Sequence, residues 1–293
     1  MASTAAPLDD ATLRRVFANA QDDVTMPAST SALRKLRMRR LWARHTTLFV
    51  VLLGVTIVAA FVALVAGAPV MSAAALGLAL VAWLIVWGVQ ASRATTDYLT
   101  RYASTRGLNL AEDAAVSASV PLFGRGDKRE YERRFTGTIA GCPSALSHYT
   151  YTEVSTDSEG RRTETDHDYT TLEFPLPAAV AARFAGVYLS PSKWSFGTLQ
   201  DKLSHDHRVE LESVAFAKRY TLRVRDEQDE VALYELFSTT FIDRLSTELE
   251  VHWEQVGAAL VLYRRKHEMD ANDLDRFCLE SWHVLQRYLE EHQ

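Results

Sequence analysis

The stretch TTLFVVLLGVTIVAAFVALVAGAPVMSAAALGLALVAWLIVWGVQAS, residues 46–92, decides the architecture, because no residue in it carries a charge. Arg44-His45 bounds it on one side and Arg93 on the other. A bilayer core about 30 Å thick is crossed by roughly 20 apolar residues in a helix, so the run suffices for two spans. Gly67-Ala68-Pro69 breaks it near the middle and sets the spans at 46–66 and 70–90. The expectation is a transmembrane helical hairpin, 46–92, with soluble sequence on both flanks.

The flanks fix its orientation. Arg34, Lys35, Arg37, Arg39, Arg40 and Arg44 precede the first span, and Arg93, Arg101 and Arg106 follow the second. The turn between the spans is uncharged. Basic residues near helix ends stay on the cytoplasmic side, so both termini are expected there, in a two-span protein of the cell membrane. Trp42, Trp83 and Trp87 fall at the same expected interface, where an indole buries its ring and keeps its N–H wet. Arg39, Arg40, Trp42, Arg44, Trp83, Trp87 and Arg93 are therefore the expected membrane-interface residues. Inside the spans only Thr56 and Ser72 offer polar groups toward their middles, which argues against an ion or proton path. Ala73 and Gly77, like Ala75 and Ala79, have the small-xxx-small spacing that packs helices closely.

Charge is strongly partitioned. Residues 1–45 hold 8 basic and 4 acidic side chains, leaving 24 basic and 33 acidic from Arg93 onward. A C-terminal region with a net charge of −9 is a poor partner for nucleic acid, which needs clustered positive charge. Its length is ample for a core of its own. Cys142 and Cys278 are far apart and form no CxxC pair, so no disulfide framework is implied. Two free thiols suit a reducing compartment.

The soluble parts read as α+β. Leu13, Val16 and Phe17 mark a short amphipathic helix in the cytosolic segment 1–45, followed by a linker at 27–31. Residues 93–107 read as a helical stalk stopped by Gly107, and 108–128 as loop. Arg125-Gly126-Asp127 reads as turn chemistry. Segments 135–140, 146–154 and 163–174 read as strands rich in Thr, Tyr and β-branched residues, with a hairpin tip at 157–160. Strands are also expected at 184–189, 208–214 and 218–225. Val231, Tyr234, Phe237, Phe241 and Leu245 recur at helical spacing. Glu248, Glu250, His252 and Glu254 alternate with Leu249, Val251 and Trp253, as in a half-buried strand. Gly257 turns into a partner strand at 259–263. Asp270 to Asp273 cap a last helix whose inner face is Leu274, Phe277, Cys278, Trp282, Leu285 and Tyr288. The domain 108–293 is thus expected to be mainly antiparallel α+β, with a possible seam between 205 and 216.

Catalytic motifs are missing. There is no GxxxxGK[ST], GxGxxG after a strand, HExxH or GxSxG. No catalytic residue and no cofactor follow from the sequence. The candidates for a metal are His205 and His207, at alternate positions of an extended segment, with Asp166 and His167 of the run Asp166-His167-Asp168. Such polar stretches read as solvated surface, and no metal is expected. Arg264-Arg265-Lys266-His267 reads as a solvated hairpin end or a contact for anionic lipid headgroups. Tyr149, Tyr151 and Tyr169 read as cross-strand packing or an exposed partner surface.

Tyr102-Ala103-Ser104-Thr105-Arg106-Gly107, Thr138-Ile139-Ala140-Gly141 leading to Tyr149-Thr150-Tyr151, Phe174-Pro175-Leu176-Pro177, and Ser213 to Val224 with Phe216 and Tyr220 carry a pattern-level resemblance. Over roughly 46–263 the chain resembles a family of uncharacterised, actinobacterial-type, two-span bacterial membrane proteins with a cytosolic domain of unknown function. The resemblance implies the architecture and no catalytic residues. The functional expectation is a membrane-anchored, cytosol-facing, non-enzymatic binding or scaffold protein. It would meet the bilayer, anionic headgroups and a protein partner, without nucleic acid. The alternatives are a membrane-tethered hydrolase around the His205 and Asp166 clusters and a lipid-surface sensor.

Overall fold

A computed structural model describes residues 35, 54–58, 61–62, 65–67, 69–111, 115–116, 119–139, 141–192 and 206–290. They fall into two units, one within 24–101 and the other within 102–293.

Helix α1, Pro69–Ser104, of which 69–101 belong to the first unit, starts at a proline, whose missing N–H costs nothing at a helix start. Gly67 just ahead has φ +76, a left-handed conformation that glycine adopts without strain. Val70, Leu76, Leu78, Leu80, Val81, Leu84, Ile85, Val86 and Val89 all lie exposed. Apolar side chains all round a helix suit hydrocarbon rather than water. It is the one helix long and apolar enough to cross a membrane among the described residues. Its uncharged part, 70–92, is about 34 Å long at 1.5 Å per residue, close to a bilayer core. Most of the expected first span lies outside the described residues; 54–58, 61–62 and 65 are helical.

The second unit is built on a nine-stranded antiparallel sheet. Its strands are β1 Leu108–Ala111, β2 Lys128–Ile139, β3 Cys142–Thr156, β4 Arg162–Pro175, β5 Gly186–Pro191, β6 Asp206–Val209, β7 Tyr220–Arg225, β8 His252–Val256 and β9 Ala259–Arg265, in the order β1-β2-β3-β4-β9-β8-β5-β7-β6. The sheet is continuous on both sides of the suspected seam at 205–216. One cross-strand row runs through all nine strands: Leu110, Phe135, Leu146, Leu172, Leu262, Trp253, Leu189, Leu222 and Val209. Because side chains alternate along a strand, this register puts one apolar ridge on one face.

Besides a single helical turn at Ala178–Ala181, the unit has helices α2 Val214–Arg219, α3 Glu230–Leu236, α4 Thr239–Thr247 and α5 Ala271–Glu290. Tyr288 of α5 accepts a hydrogen bond from Trp253 at 3.1 Å, and Phe237 stacks on the same indole at 5.9 Å. All six residues expected on the inner face of the last helix are buried. Beneath the opposite sheet face, Leu122 and Phe123 of a 3₁₀ turn, Pro121–Gly124, pack on Tyr149, Tyr151, Tyr169 and Tyr263. The three tyrosines singled out from the sequence are thus core, not an exposed surface.

Several expectations need correction. The helix expected over 231–245 is broken at Phe237, whose ψ of 53° stops α3. Asp229 caps α3 by accepting from the Val231 N–H, which rotates Val231 and Tyr234 outward, 64% and 57% exposed. Segment 208–214 is not one strand, since Ser213 accepts from the Phe216 N–H and caps α2. Lys218 and Arg219 belong to α2, so the next strand begins at Tyr220. Glu254 does not face solvent. It is 3% exposed, accepts from the Leu122 N–H at 2.6 Å and pairs with Arg125 at 3.0 Å. Alternation placed it outward correctly, but the 3₁₀ turn covers that face. The loop expected at 108–128 contains β1 and that turn. Gly126, φ +68, does make the turn read from Arg125-Gly126-Asp127.

Arg106 is not a free basic flank. It is buried, holds Asp275 through Nε at 2.8 Å and Nη2 at 2.7 Å, and lies over the Tyr102 ring at 3.6 Å. Arg264 is likewise buried, paired with Glu280 at 2.6 Å, leaving only Arg265 and Lys266 of the basic run exposed.

Candidate functional site

Two local irregularities converge on one spot of the apolar-ridge face, near the edge where that face turns polar. On β2, Tyr131 pairs with Tyr149 but Arg133 pairs with His148, so Glu132 is an extra residue in a bulge. A bulge bends the strand and re-aims the inserted side chain. After β9, Lys266 adopts φ +84, a left-handed conformation costly for a residue with a Cβ. Its N–H donates to the Asp168 carbonyl at 2.6 Å and its carbonyl accepts from Thr170 Oγ1 at 3.0 Å. The Glu268 N–H donates to the same Thr170 hydroxyl at 2.7 Å. This bracing turns His267 back over β3.

There the His267 ring stacks on His148, centroids 4.6 Å apart and planes within 4°. Its Nε2 lies 3.3 Å from Thr150 Oγ1 and 3.3 Å from the Tyr149 carbonyl, while its Nδ1 lies 3.6 Å from Glu132 Oε2. Thr150 stands opposite Asp168 across β3 and β4 and donates to Asp168 Oδ1 at 2.9 Å. Arg133 Nη1 reaches Glu132 Oε2 at 3.2 Å.

Hydrogen-bond accounting assigns the tautomers. A carbonyl only accepts, and the single Thr150 hydroxyl proton is given to Asp168. Both neighbours of His267 Nε2 are therefore acceptors, so Nε2 carries a proton. His148 Nε2 meets the Glu268 carbonyl at 3.0 Å and must donate as well. Its Nδ1 is buried without a hydrogen-bond partner. Burial above all, then His267 and Arg133, pull the His148 imidazole down to about 3, so it is neutral near pH 7. Glu132, Asp168 and His267 each offer a ligand atom, all within 4.8 Å of one another. Glu132 and Asp168 are exposed and His267 half-buried, so the spot opens to solvent.

Of the residues singled out from the sequence, Asp168 lies in this cluster and the others lie elsewhere. His207 on β6 pairs with Asp226 at 3.1 Å, and His205 lies outside the described residues. Asp166 on β4 accepts from Thr152 Oγ1 at 2.7 Å, and His167 stacks on Tyr151 at 4.7 Å. Strands β4 and β6 are five strand steps apart, roughly 24 Å, so His207 cannot share a metal ion with Asp166 or His167. Sequence reasoning missed Glu132 and His148 and saw His267 only as part of a basic run. At the expected membrane interface, Trp83 and Trp87 stack at 5.8 Å on α1 and Arg93 is exposed. Arg39, Arg40, Trp42 and Arg44 lie outside the described residues.

Comparison with known protein families, curated proteins and solved structures finds no match to this chain.

Proposed function

We propose that the chain is a membrane-anchored, cytosol-facing binding module that holds a protein partner at the inner face of the cell membrane. The observation that carries this reading is the apolar girdle of α1 from Val70 to Val89, exposed on every side. Exposed apolar area on that scale has to be covered, and a helix of this length and composition is covered by hydrocarbon. The helical state of 54–58, 61–62 and 65, and the left-handed Gly67, support a second span folded back on the first. With the basic run at 34–44 on one side and exposed Arg93 on the other, both termini are cytoplasmic and the basic run meets anionic headgroups. The ordered α+β unit, free of the common catalytic motifs, is what the anchor presents to its partner.

The test is protease protection. With a tag at either terminus, external protease on intact cells should spare both tags, and permeabilised cells should lose both. The chain should also stay with membranes after alkaline carbonate washing. Digestion of either tag on intact cells, or release by carbonate, overturns the reading.

A further inference from the structure

We infer that Glu132, Asp168 and His267 form a binding site for one divalent transition-metal ion of the zinc or manganese type. The argument starts from the 3.6 Å approach of His267 Nδ1 to Glu132 Oε2. The hydrogen bonds that Nε2 faces turn Nδ1 toward the Glu132 carboxylate, so a nitrogen and an oxygen of ligand type converge on one point. The third ligand is in place, because the Asp168 carboxylate lies within 4.8 Å of both.

The surroundings are those of a metal site. A ligating histidine usually gives its other N–H to a backbone carbonyl, which fixes the ring and raises its basicity; His267 Nε2 faces the Tyr149 carbonyl. Ligating carboxylates are themselves held by hydrogen bonds, as Asp168 is by Thr150. The buried His148 ring supports the face of His267, and its Nδ1 has no hydrogen-bond partner. The bulge at Glu132 and the left-handed Lys266 are the two places where regular strand geometry is given up, and each delivers one ligand.

The ligand set decides the ion. One imidazole with two carboxylates suits borderline zinc and the harder, oxygen-preferring manganese better than the soft ions that thiolates select. Two carboxylates neutralise the double charge. Three protein ligands with an open mouth leave water to complete the shell, as in sites that exchange a fourth ligand. The Arg133 guanidinium against Glu132 competes for the same carboxylate, so the site is built for reversible occupancy rather than a permanent structural ion. The inference stands independently of the membrane reading.

The experiment uses the untagged full chain in detergent, stripped with chelator and titrated with zinc chloride or manganese chloride by calorimetry. One equivalent should bind. Glu132→Gln, Asp168→Asn and His267→Ala should each weaken binding at least tenfold, and Thr150→Val about 10–100-fold as a supporting group. His207→Ala should leave it unchanged. Thermal melts of each variant, run without metal, separate lost binding from lost folding; Glu132→Gln, on the exposed bulge, should melt as the parent does. Absence of stoichiometric binding overturns the inference. So does binding by the three ligand variants equal to that of the parent.

Discussion

Asp275→Asn isolates a bidentate buried ion pair of the second unit, Arg106–Asp275. The Arg106 and Asp275 side chains are 2% and 9% exposed, and the pair is bidentate. Tyr102 donates to the same carboxylate at 2.8 Å. Arg106 also donates to the Tyr102 carbonyl at 3.0 Å and to Thr105 Oγ1 at 2.9 Å, so its guanidinium is committed on several sides. Burial pushes the Asp275 carboxyl above the usual range against the pull of Arg106, so the pair as a whole stabilises less than its geometry suggests. Breaking it is different. Asparagine removes the charge and turns an N–H₂ toward a donor, stranding a buried guanidinium. That costs about 3–5 kcal/mol.

For a unit of this size, 1 kcal/mol shifts the melting midpoint by about 2–4 °C, so the loss should be about 6–20 °C. The assay is a circular-dichroism and tryptophan-fluorescence melt of the full chain in detergent. Total stability of such units is about 5–15 kcal/mol, so the single variant will be poorly tolerated. The double variant Arg106→Met with Asp275→Leu removes both charges, should lie close to the parent, and closes the double-mutant cycle. A cost below about 1 kcal/mol for Asp275→Asn would refute the claim that this pair is desolvated.

Two further perturbations test other parts of the unit. Burial foremost, with Arg264 and Arg219, holds the His252 imidazole down at about 4, against about 6.5 when unfolded. The unfolded chain then binds more protons between these values. Stability from this group is level above about pH 6.5, falls as pH drops toward 4 and is level below, a loss of up to about 3 kcal/mol. His252→Gln should flatten that part of the pH–stability curve relative to the parent; parallel curves would discard the assignment. Gly126→Ala forces a left-handed residue and brings Cβ to 2.8 Å from both the Thr152 carbonyl and Tyr151 Cδ2. Denaturation should show a loss of about 2 kcal/mol or more, against about 1 kcal/mol for Gly160→Ala, whose Cβ meets nothing within 4 Å. Equal costs would mean the Gly126 turn is not tightly packed.

How much of this was legible in the sequence depends on whether one side-chain pattern or several segments decide a position. The strands over 135–174 and 259–263, and the inner face of α5, follow from period-2 and period-3.6 repeats local to each segment. Glu254 obeyed its alternation, yet what covers that face is a 3₁₀ turn more than a hundred residues earlier. No local pattern can announce such a lid. Val231 and Tyr234 failed for another reason: a cap at Asp229 sets the phase of a seven-residue helix, and over two turns a spacing of three fits either side of it.

The histidine–carboxylate cluster combines both difficulties. Asp168 and Thr150 are opposed by ordinary register and could have been paired from the hairpin tip at 157–160. Glu132 and His267 could not, because each is placed by a departure from regular geometry. In KREYERRF a bulge is one residue of lost phase, visible only once both neighbouring strands are aligned. At Lys266 the chain adopts the one conformation its residue type argues against. Local preference was overridden there by three hydrogen bonds, from Lys266 to the Asp168 carbonyl and from both sides of Thr170. Backbone strain so heavily braced, beside a bulge that aims a carboxylate at the same point, is where sequence-level rules fail for a functional reason. The departures from alternation that hid these residues from the sequence therefore mark them in the structure.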